Sequence, residues 1–363
     1  MIDNTFDNFY KGKRVLVTGH TGFKGSWLSI WLHELGAEVI GVGQDPYNSR
    51  DNYCLSGIGQ KILADIRADI RDAQKMKDII SDYQPEIVFH LAAQPLVRLS
   101  YDIPAETYAT NVMGTIHIME AIRSAKSVKV AIMITTDKCY ENKEQLTGYK
   151  ENDPFGGYDP YSSSKGACEI AIQSWRRSFF NPKDYGTKHN VSLASVRAGN
   201  VVGGGDWALD RIIPDCIRSL ESNVPIRIRS PRAIRPWEHV LEPLSGYLLL
   251  AQKMWNFPTY YCDGWNFGPE SASVSTVWDV ATKLITHYDH GELIDISNPN
   301  EALHEANLLM LDITKAKAKL GWKPRLNLDE CIALTSDWYK KYNKQDVYDL
   351  CIDQIHFFNI LKK

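Results

Sequence analysis

Tyr161-Ser-Ser-Ser-Lys165 puts a phenol four residues ahead of an amine, at the start of the helix-like stretch Tyr161–Arg177. At that spacing both side chains share one helix face. A free phenol, with a reference pKa of about 10, is a poor base at neutral pH. A neighbouring ammonium, aided by positive charge on a bound ligand, favours the phenolate and makes the tyrosine a proton acceptor for a hydroxyl. An isolated Y-x-x-x-K is by default a pair of surface residues. Here a second reactive cluster precedes it: Thr135-Thr-Asp-Lys138 ends the apolar strand Lys129–Thr135 with hydroxyls, a carboxyl and an amine.

A third feature supplies the ligand. Gly19-His-Thr-Gly22-Phe-Lys-Gly25 follows the apolar strand Arg14–Thr18 and leads into a helix beginning near Ser26. Glycines there let the backbone turn tightly against a pyrophosphate, and the free N–H groups of the helix start face the negative charge. Alone, G-x-x-G-x-x-G is a weak signal, because such turns also occur without a ligand. Combined with the tyrosine–lysine pair it predicts a dinucleotide site beside a proton-transferring phenol.

The elements that must position these residues alternate. After Arg14–Thr18, a helix is predicted over Gly25–Leu35 and strands over Glu38–Val42 and Ile62–Ile66. A helix over Ala73–Tyr83 and a buried strand over Glu86–Leu91 follow. One long helix, Ile103–Ala125, then precedes the strand Lys129–Thr135. Strands alternating with helices imply right-handed crossovers and a doubly wound parallel α/β sheet of Rossmann type. Such sheets bind ligands beyond the carboxyl ends of their strands, where Gly19, Ala92 and Thr135 should converge. Beyond about Gly199 the alternation breaks at Gly203-Gly-Gly-Asp206 and a proline-rich stretch from Pro225 to Pro243. Helices resume at Ile212–Leu220, Leu244–Met254 and Thr276–Thr286. The expected division is residues 1–194, with a return segment near 236–268, as the dinucleotide domain. Residues 195–363, mainly 199–235 and 269–363, form a smaller mixed substrate-binding lobe.

Composition narrows the function. The 363 residues suffice for one large or two ordinary domains. A net charge of -3 without basic clustering argues against nucleic-acid or membrane-surface binding. No apolar run approaches the roughly 20 residues that span a bilayer, and the polar, acidic start Met1–Asn8 does not resemble a signal peptide. Seven scattered cysteines without C-x-x-C spacing suit reduced thiols in the cytoplasm. The histidines show no H-x-x-x-H or H-x-H spacing with carboxylates, so no metal is expected.

Several stretches together resemble the extended short-chain dehydrogenases/reductases, and within them the nucleotide-sugar 4,6-dehydratases, with the CDP-glucose branch nearest. They are Thr18–Trp27, His90-Leu-Ala-Ala-Gln-Pro-Leu-Val-Arg98, Thr135–Tyr140 and Gly157–Lys165. Ser195–Asn200, Ile234-Arg-Pro-Trp-Glu-His239 and Leu311–Pro324 complete the set, covering nearly the whole chain. The resemblance implies an internal redox cycle on a sugar nucleotide, here CDP-D-glucose. The C4 hydroxyl is oxidised with hydride passing to NAD, the C5 proton and C6 hydroxyl are lost as water, and hydride returns to C6. By motif position Tyr161 is the C4 base, Lys165 its electrostatic partner and ribose anchor, Thr136 a hydrogen-bond partner of the C4 oxygen, and Asp137 the acid for the departing C6 hydroxyl. At Lys138 many relatives have a glutamate that takes the C5 proton. Lysine can do so only when neutral, or can stabilise the enolate as a cation; both roles stay open.

The same resemblance implies NAD contacts from Gly19, Thr21, Gly22, Phe23, Lys24, Gly25, Asp69, Ile70, Leu91, Ala92, Ala93, Asn111, Tyr161 and Lys165. It implies sugar-nucleotide contacts from Gln94, Arg98, Asn200 and Arg235. An acidic residue usually ends the second strand and binds the ribose. Here Gly43 stands there, Asp45 follows, and no arginine comes immediately after to favour a 2′-phosphate, so NAD is preferred. Arg227, Arg229 and Arg232 read as one solvated face, His239 as a structural hydrogen-bonder, and Trp207 and Trp237 as core. Fold analogy implies a homodimer or homotetramer paired through Ile103–Ala125 and Tyr161–Arg177. Alternatives are a dTDP- or GDP-sugar dehydratase, a 4-epimerase, and, from another class, a non-catalytic dinucleotide sensor. Retention of both Tyr161 and Lys165 disfavours the sensor.

Overall fold

In the computed structural model, residues 6–145, 147–270, 274–298 and 308–361 are described. Residues 1–5 of the polar N-terminal stretch, and 271–273 and 299–307 of the expected second lobe, lie outside them.

Seven strands form one parallel sheet: β1 Arg14–Thr18, β2 Glu38–Gly43, β3 Ala64–Arg67, β4 Ile87–His90, β5 Val130–Ile134, β6 Ser192–Ala198 and, after three strands of smaller sheets, β10 Gly264–Phe267. Their spatial order is β10-β6-β5-β4-β1-β2-β3. The order reverses between β1 and β4, the switch point where such sheets open a ligand crevice. Strand residues alternate between two cores. Val15 and Val17, Ile87 and Phe89, and Val130 and Ile132 face one; Leu16, Val88, Ala131 and Met133 face the other. Each fully buried aliphatic side chain contributes about 1.5–3 kcal/mol, so slipping any strand by one residue would be severely disfavoured.

On one face lie α1 (Phe23–Glu34) and, later in the chain, α9 (Leu241–Asn256). The other face carries α3 (Ala73–Tyr83), α6 (Gly114–Ser124) and α7 (Pro160–Ser178). Short helices α2 (Asn52–Ser56), α4 (Val97–Asp102) and α5 (Pro104–Tyr108) sit at the carboxyl edge. The long helix expected over Ile103–Ala125 is interrupted: α5 passes through a π turn, Ala109–Met113, into α6. The extra residue turns the Asn111 carbonyl toward the Thr115 hydroxyl (2.6 Å) and the Cys168 thiol (3.0 Å). Side-chain donors thereby replace part of the regular ladder, which hydrophobic periodicity cannot register.

The strand β6 crosses the expected boundary at residue 194 and belongs to the large sheet. Beyond it, β7 (Asn200–Val202), β9 (Ile234–His239) and β11 (Val274–Thr276) form a three-stranded sheet, while β8 (Ile226–Ile228) pairs with β12 (Leu293–Asp295). Helices α8 (Ile212–Glu221), α10 (Val277–Tyr288) and α11 (Leu328–Lys341) pack around these sheets. The last helix, α12 (Val347–Ile360), returns to α1, where Phe358 meets Trp31 edge to face and Tyr348 bonds His33 at 2.7 Å. Among the described residues no helix is long and apolar enough to cross a membrane.

Candidate active site

The glycine turn is a cradle that a Cβ would fill. Gly19 adopts φ 74°, and a Cβ on it would lie 2.8 Å from the Ala92 nitrogen. A Cβ on Gly25 would stand 2.0 Å from the Gly19 carbonyl oxygen. Gly22 caps α1 without a side-chain hydrogen bond, and the first turn of α1 carries no acidic residue. The N–H groups of that turn therefore face the crevice uncapped, as a pyrophosphate requires. Thr18 ties the two strand ends together, bonding His90 at 2.7 Å and accepting the Ala92 N–H at 3.3 Å. The residues present thus fit a dinucleotide.

Beyond this cradle, near the ends of β2 and β3, lies a hydrogen-bonded charged cluster. Gly41 and Gly43 leave room for His20 and Thr21, whose side chains would collide with a Cβ at 2.3 and 2.9 Å. Asp65 bonds His20 at 2.6 Å, the Tyr53 hydroxyl at 2.6 Å and Arg67 at 2.6 Å, and Arg67 reaches Asp45 at 3.2 Å. Arg67 comes from the end of β3, so a search for an arginine just after β2 does not find it. Asp69 bonds Arg71 and Gln44. Ile70 is buried against Gly114, where a Cβ would approach it to 2.4 Å.

Above the cradle, α7 begins at Pro160 because Asp159 caps it, accepting the Ser162 N–H at 2.9 Å. Tyr161 thus sits in the first turn, its N–H held by Ser100 at 3.1 Å. Burial pushes its pKa well above the ordinary value, opposed by the neighbouring Thr136 side chain and by the charge of Arg211. Lys165, one turn on, is buried; its ammonium donates to the Ile134 carbonyl at 3.4 Å, and burial lowers its pKa.

Thr136 caps a single 3-10 turn, Asp137–Cys139, and donates to Asp137 Oδ1 at 2.9 Å. Asp137 is 2 % exposed, and its Oδ2 has no hydrogen-bond partner. Burial raises its pKa above the ordinary carboxylate value, against the pull of Lys138, Thr136 and Arg235. Lys138 is half-buried beside it.

The three-stranded sheet brings Asn200 opposite Trp237, with Arg235 buried on β9 and acting on Asp137. Arg98, half exposed on α4, lies 3.7 Å from Asp210. Gln94 is turned inward: its amide donates to the Leu96 carbonyl (3.1 Å) and Thr107 (3.0 Å) and accepts the Leu96 N–H. Asn111 clamps the same loop to α7, accepting the Gln94 N–H at 2.8 Å and donating to Ser164 at 2.9 Å. Leu91 and Ala93 follow β4 at the crevice edge, alongside Phe23 from α1.

Sequence reasoning missed two residues here. Arg211, just before α8, pairs with Asp206 at 2.7 Å and acts on Tyr161. Glu238 is buried, accepts the Gly199 N–H at 3.3 Å, and acts on Lys24. Burial, with the charges of Lys165 and Arg211, lowers the Lys24 pKa to about 8, Glu238 opposing the shift. The carboxyl in Trp237-Glu-His239, within the same motif as Arg235, was the available signal.

Residues 16–335 match the family model described as GDP-mannose 4,6 dehydratase. A CDP-glucose 4,6-dehydratase of Salmonella typhimurium is 49% identical over 353 residues, 97% of this chain and 96% of that protein. A probable dTDP-glucose 4,6-dehydratase of Sinorhizobium fredii is 27% identical, covering 90% of this chain and 92% of that one. Among solved structures, a dTDP-glucose 4,6-dehydratase from Bacillus anthracis in complex with NAD superposes with a TM-score of 0.75 at 19% identity, covering 91% of this chain and 97% of that one. A Thermus thermophilus UDP-glucose 4-epimerase in complex with NAD also gives 0.75, at 22% identity and with 90% and 99% covered. These two share the fold. The family match and the similarity to the Salmonella protein run through the glycine turn, the Thr136–Lys138 turn and the tyrosine helix alike, and the chain belongs to the GDP-mannose 4,6 dehydratase family.

Proposed function

We infer that this chain catalyses the 4,6-dehydration of CDP-D-glucose to CDP-4-keto-6-deoxy-D-glucose with NAD as its cofactor. The observation that carries the reading is the grouping of buried Tyr161 and Asp137 around Thr136, which donates to Asp137, beside Lys138 and over an uncapped helix start. A 4-epimerase needs the phenol but no acid to expel water. Asp137, buried and with its pKa raised above the ordinary carboxylate value, is suited to be such an acid. The choice of CDP over dTDP or GDP rests on the 49% identity with the Salmonella enzyme.

Tyr161 takes the C4 hydroxyl proton, and Lys165 anchors the cofactor ribose and adds positive charge. The chemistry NAD supplies when bound is uptake of hydride from C4 and its return to C6. Asp137 protonates the departing C6 hydroxyl through Oδ2. Lys138 handles the C5 position, as a neutral base or as a cation beside the enolate. Arg235 and Asn200 hold the sugar nucleotide, with Arg98 at the rim. The enzyme works in the cytoplasm as a homodimer or homotetramer. Exposed Tyr108 and Met113 beside α6, with Ile170 and Phe179 on and after α7, support pairing through those helices.

Incubation with NAD and glucose linked to CDP, dTDP, GDP or UDP, followed by mass spectrometry, tests the reading. Loss of water from CDP-glucose is expected. Water loss from another nucleotide alone would reassign the base, and a C4 epimer with no water loss would make the protein an epimerase. Replacing Lys138 by alanine should leave C4 oxidation intact and block dehydration; a variant with full turnover would remove Lys138 from the site.

A further inference from the structure

The dehydration inferred above needs two sets of groups in register. Tyr161 and Lys165 on α7 serve oxidation at C4; Asp137 and Lys138, in the turn after β5, serve elimination across C5 and C6. That turn, Asp137–Cys139, is a single 3-10 turn of three residues. One turn holds its own geometry poorly, so its place relative to α7 is set from outside. Both of its ends lead to one buried ion pair. Before the turn, the Thr135 hydroxyl donates to Glu169 Oε1 at 2.5 Å. After it, the Tyr140 hydroxyl accepts from Arg197 at 2.5 Å and donates to Asn266 at 2.8 Å. The Tyr140 ring is stacked on Tyr149 at 5.3 Å and 16°, and the Cys139 carbonyl accepts the Gly156 N–H at 2.9 Å. Glu169 and Arg197 meet at 2.8 Å, and both side chains are fully buried. Glu169 stands four residues after Lys165 and eight after Tyr161, on the same side of α7.

We propose that the Glu169–Arg197 pair is a positioning device for the elimination: holding Thr135 on one side and Tyr140 on the other, it sets Asp137 and Lys138 in register with the phenol and ammonium of α7. It rests on the dehydration reading above. A buried ion pair contributes little stability beyond that of a well-packed apolar pair of similar volume. What it adds here is direction, because each hydrogen bond fixes an angle as well as a distance. An apolar replacement would keep the fold and free both ends of the turn. The loss then falls mainly on elimination, which needs the acid, the C5 group and the sugar aligned at once. C4 oxidation is better protected, since the start of α7 is held separately by the Asp159 cap on the Ser162 N–H at 2.9 Å and by Ser100 on the Tyr161 N–H at 3.1 Å.

The test is rapid mixing of the NAD-loaded protein with CDP-glucose, following reduced-cofactor absorbance for C4 oxidation and quenched-flow mass spectrometry for water loss. Y140F keeps the ring and removes only the hydroxyl. It should slow water loss about tenfold and leave C4 oxidation within about twofold, so that reduced cofactor accumulates. T135V should shift the ratio of the two rates in the same direction, and T135S should restore it. E169L/R197M removes the pair without leaving a buried charge; it should slow water loss about a hundredfold while unfolding in urea close to the parent. A merely structural pair would lower the folded fraction and both rates in proportion. The proposal is overturned if Y140F or E169L/R197M, counted by active sites, keeps the parent's ratio of the two rates; if the double variant does not fold, Y140F and T135V decide. A parent protein that loses no water would refute the dehydratase reading, and this proposal with it, before any variant is made.

Discussion

Glu169 and Asp137 are both buried carboxyls near the carboxyl end of β5, and they are built in opposite ways. Glu169, one turn beyond Lys165 on α7, has every lone pair engaged: Arg197 donates twice at 2.8 Å, Ser195 once at 2.8 Å and Thr135 once at 2.5 Å. Those donors, Arg197 foremost, outweigh desolvation and hold its pKa below the ordinary range. Arg197 extends the network to the Tyr140 hydroxyl at 2.5 Å, and Tyr140 donates to Asn266 at 2.8 Å. Asp137, two residues after Thr135, has one satisfied oxygen, one vacant oxygen and a raised pKa. A buried group with no vacancy can only hold its neighbours in place. A buried group with one unsatisfied oxygen has a place for substrate. The lower layer fixes α7 to β5 and β6, and the upper layer, suspended from it, keeps the vacant oxygen that the proposed chemistry requires.

The contrast is broken most severely from below. R197M leaves Glu169 as an uncompensated buried charge and should destabilise the fold by about 3–5 kcal/mol in urea denaturation. Adding E169L should recover most of that loss, since an apolar pair of similar volume costs little. If R197M unfolds at the wild-type midpoint, the lower layer is not structural.

From above, D137N should reduce turnover about a hundredfold or more without loss of stability. Linkage gives the sign. A carboxyl whose folded pKa is raised makes folding less favourable as pH climbs past its unfolded value, and asparagine removes that penalty. Glu169, with a lowered folded pKa, contributes stability above the unfolded carboxylate pKa that is lost as pH falls through the folded one. Denaturation midpoints of D137N from pH 5 to 8 should therefore match or exceed those of the parent, and a lower midpoint at pH 8 would contradict the reading of Asp137 as a strained acid.

The smallest effect concerns the edge between the layers and the cofactor cradle. Lys24 loses its charge near pH 8, so NAD affinity should fall several-fold as pH rises through that value and a pyrophosphate loses a nearby cation. In K24M the affinity should be lower and flat across the same range, as measured by calorimetric titration. A K24M profile that still bends near pH 8 would place the titrating group elsewhere.

Much of the large sheet was legible because its strands repeat a simple code. Apolar residues on both faces, ended by Gly19 or by Thr135-Thr-Asp, predict buried parallel strands and their functional ends from spacing alone. The bounds of Arg14–Thr18 and Ala73–Tyr83 coincide with the observed elements. Ile103–Ala125 was misread as one helix because a π turn preserves helical periodicity on either side of its extra residue. β6 and the two C-terminal helices, α11 and α12, were not anticipated. Two arginines were also hidden. Arg67 reaches the β2 end only because β3 is its neighbour, and Arg211 reaches Tyr161 from the loop before α8.

What the sequence determined by itself is local: a glycine turn no larger residue could follow, a helix starting just ahead of Tyr161, and a hydroxyl, carboxyl and amine in consecutive positions after a strand. These follow from backbone sterics, capping and period, which act over a few residues. Only tertiary structure decided that Asp137 would have one oxygen bound and one vacant while Glu169 had none. Hydrogen-bond satisfaction and desolvation depend on what distant segments bring into contact, and β5, β6, α7 and the Gly199 loop meet at that point only in the folded chain.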